Sequence, residues 1–191
     1  DLRFLKSFRT TVNDVGIAAG TPPFATKEYC ATWEAPVGTT LMELTSHTHK
    51  RGKYFWINDP SGKRIYESFD YADPALLSFD PPLVLDASAS KDRTFKYCAR
   101  FANGVDAQGA PDTRQVTRLS TMPDGTTCTP VACAAGKIGT PCNGSKDNLT
   151  CDSAPGANDG WCDACPITAG LTSENEMFLI STTTIAPAPK N

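Results

Sequence analysis

The sequence predicts an all-β fold, a jelly-roll-like antiparallel sandwich carrying a disulfide-rich loop insertion, and three features support it. Short alternating runs rich in Thr, Val, Tyr and Phe recur along the chain, helix signals are sparse, and Pro and Gly punctuate the runs. Eight cysteines stand at 30, 98, 128, 133, 142, 151, 162 and 165, the last six in a stretch poor in core-building residues. A chain of 191 residues suits one sandwich-sized domain, or a domain with a sizeable insertion, and can bury a core without a cofactor.

Residues 1–23 read as an N-terminal arm or strand, in which Phe4, Leu5, Phe8, Val12 and Val15 precede a turn-rich approach. The sandwich itself is expected over 24–104 and 166–185. Within it, Tyr29-Cys30-Ala31-Thr32-Trp33 reads as a strand, broken by the turn chemistry of Pro36-Val37-Gly38. A strand over about 39–50 follows. Lys53 to Ile57 and Arg64 to Ser68 then flank a loop containing Pro60 and Gly62, which predicts a hairpin whose aromatic residues serve mainly as core. From Asp70 to Leu85, proline turns alternate with apolar residues, and Thr94 to Phe101 makes another strand, ended by Asn103-Gly104. After the insertion, the polar Thr172-Ser173-Glu174-Asn175-Glu176 turns into the strand begun by Met177-Phe178-Leu179-Ile180. Residues 186–191 form a linker-like tail with Pro187 and Pro189.

The insertion, 105–165, is rich in Gly, Ala, Pro, Asp and Thr, so its order must come largely from disulfides. Its six cysteines are expected to pair among themselves, leaving Cys30 and Cys98 to bridge the sandwich. Six cysteines allow about fifteen pairings, and spacing selects none of them. Cys162-Asp163-Ala164-Cys165 lacks a second such motif and a βαβ setting, which favours a structural disulfide over zinc or redox chemistry. Asp152, Asn158, Asp159 and Asp163 weakly suggest a calcium loop, without EF-hand spacing. Asn143-Gly144-Ser145 and Asn148-Leu149-Thr150 fit the N-glycosylation pattern.

Composition narrows the partners. The net charge of −3 is mild and Lys and Arg are scattered, which argues against a nucleic-acid or anionic-membrane partner. No apolar run reaches the roughly 18 residues of a spanning helix, so no membrane span is expected. Cysteine density points to an oxidising compartment, extracellular or periplasmic. The chain begins at Asp1 without the pattern of a signal peptide, which suggests a processed or trimmed product.

The chemistry-bearing stretch is Ser46-His47-Thr48-His49-Lys50-Arg51-Gly52, which holds the chain's two histidines. On a strand, residues i and i+2 share a face about 7 Å apart, so the two imidazoles can converge on one metal; the pair also suits two surface histidines. With both histidines so engaged, no Ser-His or Cys-His arrangement remains, and no carboxylate pair marks a glycosidase.

Together with Thr172-Ser173-Glu174-Asn175-Glu176-Met177, the histidine stretch resembles the C-terminal domain of the copper type II, ascorbate-dependent monooxygenases, a family that includes peptidylglycine α-hydroxylating monooxygenase and dopamine β-hydroxylase. The resemblance covers about residues 24–101 and 166–185. It implies that His47, His49 and Met177 bind one copper at which oxygen is activated, with ascorbate as reductant. Imidazole serves both copper oxidation states and a thioether favours Cu(I), so the donor set suits that role. Met177 alone would read as core filler; beside His47 and His49, in the family's order, it reads as a ligand.

Three departures narrow the resemblance. The family's complete enzymes carry a second copper, held by three histidines in an N-terminal domain that supplies an electron, and no further histidine exists here. Catalysis would therefore require a second copper domain or another subunit. Where peptide-hydroxylating members use an arginine and a tyrosine to hold substrate, this chain has Thr45 and Ser181, which argues against a peptidylglycine substrate. Phe178 stands where a cysteine commonly follows the methionine, which makes Cys30 the natural partner of Cys98. The leading expectation is a secreted copper-site domain of a longer protein or assembly; the alternatives are a structural or adhesive extracellular module or filament subunit, and copper storage or delivery.

Overall fold

The computed structural model describes residues 5–11, 20–22, 24–110, 120–121, 127–128, 131–132, 161–162, 167–170 and 175–185. Eight longer strands build the sandwich: β1 (Leu5–Thr11), β2 (Ala25–Glu34), β3 (Thr39–Thr48), β4 (Gly52–Asn58), β5 (Arg64–Ser68), β6 (Leu76–Leu85), β7 (Thr94–Asn103) and β12 (Phe178–Ile185). Between β7 and β12 lie two short pairs, β8 (Ser120–Thr121) with β9 (Thr127–Cys128) and β10 (Val131–Ala132) with β11 (Trp161–Cys162).

The antiparallel pairings β4 with β5, β3 with β6, β2 with β7 and β1 with β12 are the nested rungs of one long hairpin. Alternate rungs fall in opposite sheets, giving the orders β1-β12-β3-β6 and β2-β7-β4-β5. This rolled-up hairpin is the topology of a jelly roll, in which two sheets cover each other's apolar faces. β1 is thus a strand of the first sheet, which resolves the choice between arm and strand.

The core lies between the sheets. Leu41, Leu44, Phe55, Ile57, Phe95, Tyr97, Phe101, Phe178 and Ile180 are all at most 2% exposed. Phe178 packs against Phe55, Tyr97 and Phe101, with ring centroids 6.5, 5.6 and 6.3 Å away. The hairpin aromatics serve largely as expected: Phe55 and Tyr66 enter the core, while Trp56 is buried on the opposite face of its sheet.

Three local readings change. Residues 76–85 form a single strand, β6, through Pro81 and Pro82. Prolines cannot donate to a ladder, but β6 is an edge strand, and its register against β3 shifts between Leu41 and Glu43, where they cause least loss. β3 ends at Thr48, so His49 opens a turn instead of continuing the strand. Finally, Cys30 and Cys98 are bonded as expected, but as directly opposed residues of neighbouring strands in one sheet, with Cα atoms 4.0 Å apart, so the bond does not bridge the two sheets. The pairings within the insertion, the calcium-like aspartates and the two glycosylation patterns lie outside the described residues.

Candidate functional site

The bulge in β3 decides which way the histidines face. Inward residues run Thr39 and Leu41, then Leu44, Ser46 and Thr48, and this change of phase coincides with the register shift at Leu41/Glu43 against β6 and opposite Thr183/Thr184 of β12. One extra residue flips the alternation. From Glu43 onward the odd-numbered residues therefore point away from the core, and His47 is exposed.

Pairing with β12 supplies the rest of that face. Phe178 lies opposite Thr48 and Leu179 opposite His47, while Ser181 faces Thr45. Met177 and His49 follow one step beyond the Phe178–Thr48 pair, at the end of the ladder. The His47 and His49 rings lie edge to face with centroids 5.3 Å apart. Met177, immediately before β12, is buried at 8% exposure. The fold thus brings the three residues singled out from sequence to one end of the β3–β12 ladder.

The turn after β3 is closed by the Gly52 N–H donating to the His49 carbonyl at 2.9 Å. A Cβ at Gly52 would collide with Thr48 Oγ1, so this close return of the chain requires glycine. His49 Nδ1 lies 2.7 Å from the Asn175 carbonyl oxygen. A carbonyl only accepts, so Nδ1 carries the donated hydrogen, and in the neutral ring Nε2 keeps its lone pair for a metal.

Glu176 is the surprise of the region. An acidic residue at the head of a strand is ordinarily solvent-facing, yet Glu176 is fully buried. Its Oε2 accepts the His49 N–H at 2.9 Å and its Oε1 accepts the Arg51 N–H at 2.6 Å. Burial pushes the carboxyl pKa up to about 8, against the pull of those two backbone donors and of the Arg51 and Lys50 charges. Neither Asn175 nor Glu176 was marked by any sequence signal beyond adjacency to Met177.

Thr45 and Ser181 oppose each other on the outer face, two residues from His47 and Leu179. Thr45 Oγ1 donates to the Ala75 carbonyl at 2.8 Å. Arg9 of β1 stands opposite Ser181 in the ladder, and Glu43 lies two residues before Thr45 on the same face. Elsewhere among the described residues, Glu28, Cys30 and Cys98 bring potential donor atoms within 4.8 Å of one another, but the two sulfurs are joined in the disulfide and offer no thiolate.

Comparison with family models, with curated proteins and with solved structures returned no match.

Proposed function

We propose that this chain is a secreted copper-binding domain of the ascorbate-dependent monooxygenase type, acting as the oxygen-activating half of a longer protein or assembly. The observation that carries the reading is the juxtaposition of two imidazoles, 5.3 Å apart, with a methionine one register step beyond Phe178. Two borderline nitrogen donors and one soft thioether form a set that suits copper in both oxidation states and leaves room for a small exogenous ligand. When bound, copper would supply one-electron redox chemistry toward oxygen and a substrate C–H bond.

The chain's own residues have distinct tasks in this reading. Asn175 orients the His49 ring and directs Nε2 outward, His47 supplies the second nitrogen from the exposed face, and Met177 supplies sulfur from a water-poor position. Thr45 and Ser181 offer neutral hydroxyls beside the site, with Arg9 of β1 opposite Ser181 in the ladder. With two histidines in the chain, a second copper centre built on three histidines must come from a partner domain or subunit. The Cys30–Cys98 disulfide supports an oxidising, extracellular or periplasmic setting. No helix among the described residues is long and apolar enough to cross a membrane.

Elemental analysis of the purified chain after copper loading tests the proposal. One copper per chain in the wild type, lost in His47→Ala, is the expected result. Equal copper retention in both sinks the assignment, and a wild type that takes no copper but forms ordered polymers turns the domain into a structural or adhesive module. Tight Cu(I) binding without ascorbate-dependent oxygen consumption alongside its partner would indicate storage or delivery.

A further inference from the structure

We infer that Glu176 is a positioning residue of the candidate copper site: its buried carboxylate clamps the backbone of the His49–Gly52 turn and so fixes the ligand geometry. The inference rests on the copper reading above and deepens it. Three consecutive residues divide the work. Asn175 holds the His49 ring through its carbonyl, Glu176 holds the His49 backbone, and Met177 follows as the sulfur donor.

The geometry of the clamp is specific. The N–H groups of His49 and Arg51, two residues apart, point at separate carboxyl oxygens at 2.9 and 2.6 Å, so both oxygens of the side chain are engaged by one short turn. The carboxylate cannot drift, because its own backbone is pinned on both sides. Glu176 N–H donates to the Thr168 carbonyl at 2.8 Å, and the Gly170 N–H donates to the Glu176 carbonyl at 3.2 Å. Asn175 is fixed in turn by its Nδ2 donating to Thr168 Oγ1 at 3.0 Å, and a Cβ at Gly170 would stand 2.7 Å from Asn175 Cγ. Thr168 and Gly170 therefore hold Asn175 and Glu176 against the histidine turn.

A merely space-filling role would be met better by an apolar side chain, since burying a carboxylate carries a desolvation cost that a leucine avoids. What leucine cannot do is accept two hydrogen bonds. Partners of this kind around a metal ligand typically change metal affinity by about 10- to 100-fold when removed.

The test compares wild type, Glu176→Gln and Glu176→Leu in the full chain, by Cu(I) competition against a chromophoric chelator and by 15N NMR of the His49 ring in metal-free protein. Glu176→Gln keeps one acceptor and is expected to lose about 10-fold in Cu(I) affinity; Glu176→Leu keeps none and is expected to lose about 100-fold. Both should weaken the Nδ1–H signature of His49, while circular dichroism stays that of the wild-type sandwich. Folded variants with wild-type affinity and an unchanged His49 tautomer overturn the inference. Should Glu176→Leu fail to fold, Glu176→Gln decides alone. Should the wild type bind no copper, the copper reading fails by itself, and the tautomer still decides: an unchanged signal in the variants overturns the clamp, and a lost one upholds it.

Discussion

On the outer face of the β2-β7-β4-β5 sheet, Trp56, Tyr54 and Phe69 stack ring on ring at 4.6 and 4.8 Å. Arg64 and Arg100 lie over these rings, Arg64 bonds Glu67, and Arg100 reaches Glu28. The Cys30–Cys98 bond lies in the same sheet, with Trp56 opposite Cys98. The β1-β12-β3-β6 sheet is organised differently. At its histidine end a buried carboxylate and a backbone carbonyl from the approach to β12 serve the turn that follows β3. One face satisfies its polar groups among exposed side chains, where each pair is worth little. The other commits an expensive buried group to the shape of a short turn.

This contrast predicts which changes separate stability from metal binding. The largest effect falls on both at once: Phe178→Ala removes the ring shared by the core and the anchor of Met177, and should cost up to about 5 kcal/mol in denaturant unfolding together with copper affinity. Replacing both Cys30 and Cys98 by alanine releases a loop spanning 68 residues and should cost about 4 kcal/mol, yet leave copper stoichiometry intact. A loss of copper in that variant would show that the two sheets do not act separately.

Smaller changes sharpen the same division. The Tyr97 hydroxyl is buried without a hydrogen-bond partner among the described residues, and burial raises its pKa from 10.0 to about 12. The folded state thus holds this proton more tightly than the unfolded chain, so its contribution is complete below pH 10 and is lost as pH rises from 10 to 12. Tyr97→Phe should gain about 1 kcal/mol near neutrality and flatten the alkaline limb of a melting-temperature profile. Arg64→Ala, on the exposed aromatic face, should change neither melting temperature nor copper affinity measurably.

Much of this was legible in the sequence, because its signals were local. Alternation and turn residues marked most of β2 to β5 and β7, and the histidine spacing with a later methionine marked three residues that the fold gathers. The phase change in β3 is readable in retrospect from Leu41 and Leu44, three apart where strict alternation would place them two or four apart. β6 was obscured because tolerance of Pro81 and Pro82 depends on its edge position, a property of the assembled sheet. Glu176 was illegible for a similar reason: its burial depends on backbone donors 125 and 127 residues away in sequence.

The central claim is that one copper sits among His47, His49 and Met177, and X-ray absorption of the Cu(I)-loaded chain reaches it most directly. The account predicts nitrogen scattering from two imidazoles plus one sulfur scatterer that disappears in Met177→Leu, while the imidazole signal persists. A spectrum without sulfur, or one that Met177→Leu leaves unchanged, would contradict it.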